Sequence, residues 1–122
     1  GLIVLDCVPN VNVEQIDTLL VPFFEIIRKA HPDVPVLFVE DPHFPHLKFD
    51  KEAHRQVYTL NALWKKHFDR LAAKYDNLHY LPADHIIGTD GEATVDGLHF
   101  TDLGFTRYAN LLEPLIRRIA LK

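Results

Sequence analysis

The feature of the sequence that most restricts its fold is a set of short runs that are almost wholly apolar. They cover residues 2–8, 34–39 and 78–81 and are rich in valine, isoleucine and leucine. Continuous apolarity over so few residues is typical of strands that are covered on both faces in a parallel sheet. These runs therefore predict three buried strands.

Longer amphipathic stretches follow each of these runs and predict helices. Asn12, with Gln15 three residues later, forms a capping-box pattern at the start of the first stretch. In the second stretch, apolar residues from Val57 to Leu71 recur every three or four positions. Pro22 lies inside the first stretch, so we expect its opening turns to be kinked or separate from the rest. The predicted helices span residues 13–30, 51–75 and 102–120.

The order of these elements predicts an α/β fold class. Strand, helix, strand, helix, strand, helix favours one domain over residues 1–122, with a parallel sheet between helices in a three-layer α/β/α arrangement. Sites in such folds form beyond the carboxyl ends of the strands. Three segments are expected at that edge, namely Asn10, the 40–50 loop and the 82–99 loop.

Charge and composition exclude several kinds of partner. There are 17 acidic and 13 basic residues, giving a net charge of −4, and no basic block is present, so we expect no nucleic-acid partner. No run approaches the roughly 18 apolar residues of a membrane span. The single Cys7 cannot form an intrachain disulfide and so indicates no compartment. The chain starts on a strand-like run and contains no methionine, from which we expect it to be a piece of a longer protein.

A carboxylate and an imidazole three positions apart, Asp96 and His99, precede the last predicted helix. The same spacing occurs at Asp76 and His79, so spacing alone is not diagnostic. The context differs, because Asp96 and His99 are followed by Thr101 at a helix N-cap position.

An aspartate that accepts a hydrogen bond from Nδ1–H of a histidine holds the imidazole in one tautomer. Nε2 can then take a proton from a nucleophile and return it to a leaving alcohol. Histidine suits this task because its ordinary pKa of about 6.5 lies near working pH. The alternative is that Asp96 only caps a turn and His99 only fills a gap at the surface.

The string around this pair resembles the last sequence block of the SGNH hydrolases, also called the GDSL esterase/lipase family. It reads Asp96-Gly-Leu-His99-Phe-Thr-x-x-Gly104-Phe-x-x-Tyr-Ala109. The resemblance implies a flavodoxin-like SGNH hydrolase fold and a Ser-His-Asp triad that acts on ester-linked acyl groups. In that reading, His99 is the general base and acid and Asp96 orients it. No cofactor and no metal are implied.

The segment that ends at Asn10 resembles the family's third block, in which an asparagine donates to the oxyanion. Asn10 fits that place, although many members read Gly-x-Asn-Asp where this chain has Val-Pro-Asn-Val. The alternative is an ordinary turn asparagine.

The family's nucleophilic serine and a second oxyanion group, a glycine, lie in blocks upstream of these, and this sequence contains no serine. The resemblance therefore implies that residues 1–122 are the C-terminal part of a catalytic domain, with the first strands missing from this chain. Alone, the chain is expected to be inactive. Residues 2–8 are then expected to form an apolar edge strand, covered by the missing N-terminal part or by a neighbouring copy.

The 40–50 loop contributes three candidate residues for a substrate pocket, His43, Phe44 and His46. By family analogy the substrate is a small-molecule or carbohydrate ester, an acetyl group on a sugar being our expectation. The same analogy favours a bacterial extracytoplasmic location.

Three alternatives stay open. Cys7 could be a thiol nucleophile, although it lies within a strand-like run where thiols are usually inert. His43 and His46, with Glu40 and Asp41 nearby, could hold a metal, but the neighbouring prolines oppose the helical geometry that would aim both rings at one point. The chain could also be a non-catalytic α/β binding or assembly module that retains the fold.

Overall fold

Three parallel strands and three α-helices make up the structure, a computed structural model that describes residues 1–121. Two short 3-10 turns, Val8–Asn10 and Pro45–Lys48, follow the first and second strands. The elements in chain order are β1 (Ile3–Leu5), α1 (Val13–Ala30), β2 (Val36–Val39), α2 (Lys51–Ala72), β3 (Leu78–Leu81) and α3 (Asp102–Ala120).

The sheet has the order β1-β2-β3, and both pairings are parallel. All four residues of the central strand β2 are buried, as the continuous apolar run predicts. β1 is shorter than predicted, because the chain turns into the 3-10 helix Val8–Asn10, where Pro9 has no N–H to continue a ladder. Within residues 1–121 the outer side of β1 has no partner strand, and Val4 is 39% exposed.

The first helix forms in one piece. Its capping box is present, since the Asn12 side chain accepts from the backbone N–H of Gln15 and the Gln15 side chain accepts from that of Asn12. The expected separation of the opening turns at Pro22 is wrong, because the helix runs unbroken from Val13 to Ala30. A proline inside a helix costs about 3 kcal/mol, and the continuous buried stripe packs on both sides of it and offsets that cost. The stripe consists of Ile16, Leu20, Phe24 and Arg28.

Two hydrophobic clusters lie on opposite faces of the sheet. One joins α1 and α2 to the sheet through Phe24, Phe38 and Trp64. The other joins the sheet to α3 through Leu37 and Ile119, together with the loop after β3. The predicted three-layer α/β/α arrangement is thereby confirmed. Among the helices described, none has the length and apolarity that crossing a membrane requires.

Candidate active site

Asp96 and His99 form a hydrogen-bonded turn directly before α3. Oδ2 of Asp96 lies 2.6 Å from Nδ1 of His99. The other carboxylate oxygen, Oδ1, accepts from the backbone N–H groups of Leu98 at 2.9 Å and of His99 at 2.8 Å. Gly97 between them has φ +90, a conformation that few residues other than glycine adopt. The backbone of the turn therefore fixes the side chain of Asp96 independently of its bond to the imidazole.

The start of α3 holds this turn in place. Thr101 caps the helix, accepting at Oγ1 from the backbone N–H of Gly104, and its own hydroxyl donates to the carbonyl of Glu92. Its backbone N–H donates to the carbonyl of Ala93 at 2.9 Å. A Cβ at Gly104 would lie 2.2 Å from that same carbonyl oxygen, so only glycine permits this approach. Gly104 of the sequence motif thus allows the 82–99 loop to pack closely against the helix.

The environment of Asp96 keeps its carboxylate ionised. The bond from the His99 side chain, followed by the two backbone N–H groups, holds the pKa of Asp96 well below its usual range. The His99 side chain is 76% exposed and that of Asp96 52% exposed. The pair is therefore fixed in geometry and accessible to small molecules.

A cleft of about 460 Å³ opens beside His99, at the carboxyl ends of β1 and β2. Asn10, at the end of the 3-10 turn after β1, lines the same cleft. The structure therefore brings together two residues that are 89 positions apart, as expected for the carboxyl edge of a parallel sheet. Other residues that line the cleft include Asp6, Glu40, Asp41, Phe44, Phe100, Phe105 and Tyr108.

Of the three residues predicted for a substrate pocket, only Phe44 lines the cleft with His99, and it is buried. Phe44 also lines the neighbouring cavities of His43 and of His46, and its ring stacks on that of His46 with centroids 5.8 Å apart. His43 faces a neighbouring cavity of about 550 Å³, where its ring stacks on Tyr58 with ring centroids 4.6 Å apart. His46 lines a third cavity on the other side of the turn, and a Cβ built at Gly97 would lie 3.3 Å from its Nδ1.

Three acidic residues of the cleft, Asp6, Glu40 and Asp41, were not predicted as cleft residues. Asp6 Oδ2 accepts a 2.7 Å hydrogen bond from the hydroxyl of Tyr108. Asp41 is 4% exposed, and Asn61 holds its backbone by two 2.9 Å bonds, one to the N–H and one to the carbonyl. Burial, followed by the charge of Asp6, raises the pKa of Asp41 to about 7. Its position just after an apolar run was the available signal, since such residues lie at the carboxyl edge of the sheet.

Cys7 does not line this cleft. It is half-buried and lines an apolar groove with Leu19 and Phe23 of α1. Burial, with a smaller effect from the charge of Asp6, raises the pKa of the Cys7 thiol, which opposes formation of the thiolate. In the described part of the chain, His, Cys, Asp and Glu side chains form no group of three or more that could hold a metal ion.

Comparison with known proteins gives a consistent result. A model of the GDSL-like lipase/acylhydrolase family matches residues 1–117. The crystal structure of a protein from Bacteroides ovatus described as a GDSL-like lipase matches with a TM-score of 0.90 and 33% identity, covering 96% of this chain and 35% of that one. The salicylyl-acyltransferase SsfX3 from a tetracycline biosynthetic pathway shares the fold, with a TM-score of 0.51, 20% identity and coverage of 88% of this chain and 32% of that chain. No curated protein sequence matches the chain.

The chain thus spans about a third of the length of the solved structures that it matches. The family model nevertheless covers almost all of it, including the Asp96–His99 turn and Asn10. The resemblance noted in the sequence is thereby confirmed, and the α/β fold is that of an SGNH hydrolase in part. The chain belongs to the GDSL-like lipase/acylhydrolase family.

Proposed function

We propose that this chain supplies the histidine and aspartate of a serine esterase whose serine lies outside it. The observation that supports this most strongly is the 2.6 Å bond between Asp96 and an exposed His99, beside a cleft that Asn10 also lines. An aspartate on Nδ1 leaves Nε2 as the free nitrogen of the imidazole. The family is one of hydrolases, which agrees with this chemistry.

In the proposed reaction, Nε2 of His99 takes the proton of the serine hydroxyl while the serine oxygen bonds to the ester carbonyl carbon. The carbon–oxygen bond to the alcohol then breaks, and His99 returns the proton to the departing alkoxide. A water molecule, activated in the same way, releases the acid and restores the serine. Asp96 stays ionised throughout and stabilises the imidazolium that forms.

Asn10 is proposed to donate its side-chain amide to the oxyanion. Its side chain makes no hydrogen bond within residues 1–121, so its N–H groups are available to a ligand in the cleft. The backbone around it is fixed, because Asn10 N–H donates to the carbonyl of Cys7 at 2.9 Å. Such a preorganised donor is worth about 10²–10³-fold in rate in other hydrolases.

The serine is proposed to come from a segment that pairs with the open edge of β1. Val4 is 39% exposed on that strand, and within residues 1–121 no strand covers its outer side. An apolar edge of this kind favours pairing with another strand. In this account residues 1–122 are the C-terminal part of one catalytic domain, and the missing N-terminal part or a neighbouring copy completes it.

The proposed substrate is a small-molecule or carbohydrate ester, with a short acyl group such as acetyl.

A fluorophosphonate that carries a reporter group tests the nucleophile directly, because it labels only activated serines. We expect it to label one serine of the intact protein that carries this chain, and a His99→Ala variant to label far more slowly. Labelling that is unchanged in His99→Ala would contradict the assignment, and no labelling at all would favour a binding module that retains the fold.

A further inference from the structure

The carboxyl of Asp41 has an unusual combination of properties. It is 4% exposed, and its Oδ1 has no hydrogen-bond partner within residues 1–121. Buried polar atoms of proteins are almost always hydrogen-bonded, and a buried carboxylate without a partner is costly. Asn61 meanwhile bonds both the N–H and the carbonyl of Asp41, so the residue is held rigidly. Asp41 lines the cleft, but Oδ1 has almost no accessible surface, so a ligand donor reaches this unpaired oxygen only by displacing a neighbouring side chain of the cleft wall.

The other charged groups of the cleft have the same sign. Asp6 and Glu40 also line it, and none of its lining residues in the described chain is Lys or Arg. Tyr108 donates to Asp6, and Tyr80 and the backbone N–H of Ala83 donate to Glu40. These neutral donors stabilise both carboxylates without cancelling their charge. Apart from His99, the cleft therefore offers only negative charge to a ligand.

Aromatic rings complete the lining. Phe44, Phe100, Phe105 and Tyr108 all line the cleft. Phe100 contacts Phe105 and Tyr108 edge to face, with ring centroids 5.4 Å and 5.8 Å away. The faces of such rings attract cations, and the attraction grows when the cation is desolvated. Carboxylates and aromatic faces together are the surroundings that bind ammonium groups.

We propose that the cleft binds a protonated amine, whose N–H donates to Oδ1 of Asp41, and that the ester substrate carries this amine. A neutral hydroxyl could donate a hydrogen bond to the same oxygen, but it would gain nothing from the negative potential of Asp6 and Glu40. A quaternary ammonium would use the potential but has no N–H to donate. The inference rests on the proposed esterase function for its substrate, while the amine site itself is testable without any hydrolysis.

The binding test compares two ligands of nearly equal shape. These are 2-(dimethylamino)ethanol, which is cationic at pH 7.5, and 3-methylbutan-1-ol, in which a CH replaces the N–H. Each is titrated into the intact protein and followed by protein NMR shifts. We expect the amine to bind at least about tenfold more tightly, as for a charge-assisted hydrogen bond. Equal affinities, or tighter binding of the alcohol, would overturn the inference.

Variants locate the site. In Asp41→Asn the preference for the amine should fall several-fold, because the bond to Oδ1 is lost while the potential of Asp6 and Glu40 remains. Asp33→Asn, which removes an exposed charge elsewhere, should retain the full preference. A preference that persists undiminished in a folded Asp41→Asn would overturn the role of Asp41. If that variant does not fold, the comparison of the two ligands on the unaltered protein still decides whether the cleft prefers an amine.

The corresponding acetate esters separate this inference from the proposed function. Hydrolysis of both 2-(dimethylamino)ethyl acetate and 3-methylbutyl acetate with equal kcat/KM would support the proposed esterase function and overturn the amine site. A tenfold binding preference for the amine without hydrolysis of any ester would support the site and contradict the esterase. Hydrolysis with at least about tenfold higher kcat/KM for the aminoester would support both.

Discussion

Oδ2 of Asp96 lies 2.6 Å from Nδ1 of His99, while Oδ1 of the same carboxylate accepts two backbone N–H groups. The aspartate is therefore fixed by the turn and not only by the histidine. Because Oδ1 accepts from the backbone, the carboxylate cannot rotate freely, and Oδ2 is held in the direction of the His99 ring. This arrangement accounts for the three-residue spacing of the motif.

Asp96→Asn should lower kcat by about 10²–10⁴-fold, since an amide can present an N–H to Nδ1 and favour the wrong tautomer. The backbone bonds can still form to the amide oxygen, so the fold should persist. The measurement is steady-state hydrolysis by the intact protein, with circular dichroism to check folding. Asp76→Asn is the matched control, because Asp76 belongs to the chain's other Asp-x-x-His pair, and a comparable loss there would contradict the assignment.

Asn10→Ala should lower kcat by about 10²–10³-fold with little change in KM, because an oxyanion donor acts in the transition state rather than in the bound ester. The side chain makes no hydrogen bond within residues 1–121, so the stability of the fold should change little. Asn110→Ala, at an exposed position of α3, is the control. A rise in KM with unchanged kcat would instead assign Asn10 to ground-state binding.

Asp41→Asn should stabilise the intact protein more at pH 8 than at pH 5. The pKa of Asp41 is raised from 3.8 to about 7, so the folded state retains a proton that the unfolded state releases between those values. Stability from this group is therefore present below pH 4 and lost as the pH rises through 7. The difference in thermal midpoint between variant and native protein, measured at both pH values, tests the sign. A difference that does not grow with pH would contradict a buried, proton-retaining Asp41.

Gly104→Ala should destabilise the protein by about 1–3 kcal/mol, because the new methyl group would lie 2.2 Å from the carbonyl oxygen of Ala93. Activity should fall as well, since the clash pushes the 82–99 loop away from α3. Gly91→Ala is a useful contrast, because that position has φ +85 but open space, so only backbone strain applies. Urea unfolding of both variants provides the comparison, and a smaller loss for Gly104→Ala than for Gly91→Ala would count against close packing at this helix.

The periodic parts of the sequence predicted the helices and the central strand well. Helix α1 begins and ends at the predicted residues because the Asn12 capping box and the apolar repeat agree. The exact buried face was harder to predict. Four-residue steps from Ile16 and Leu20 lead to Phe24, which is fully buried, whereas the adjacent Phe23 is 49% exposed.

Only those residues of the candidate site that belong to a local sequence motif could be predicted from the sequence. Asp96 and His99 are close in sequence, and their hydrogen bond follows from the turn between them. The unpaired oxygen of Asp41 and its contact with Asn61, 20 positions away, depend on how β2 meets α2, which no local pattern encodes. Sequence reasoning therefore found the proposed acid–base pair and missed the acidic lining of the cleft.

The most direct test of the central claim is hydrolysis of p-nitrophenyl acetate by the intact protein, its His99→Ala variant and the 122-residue chain alone. We expect the intact protein to be active, His99→Ala to lose at least about 10³-fold in kcat/KM, and the chain alone to show only background hydrolysis. Activity in the isolated chain would place a nucleophile within it. Full activity in His99→Ala would contradict the proposed roles of His99 and Asp96.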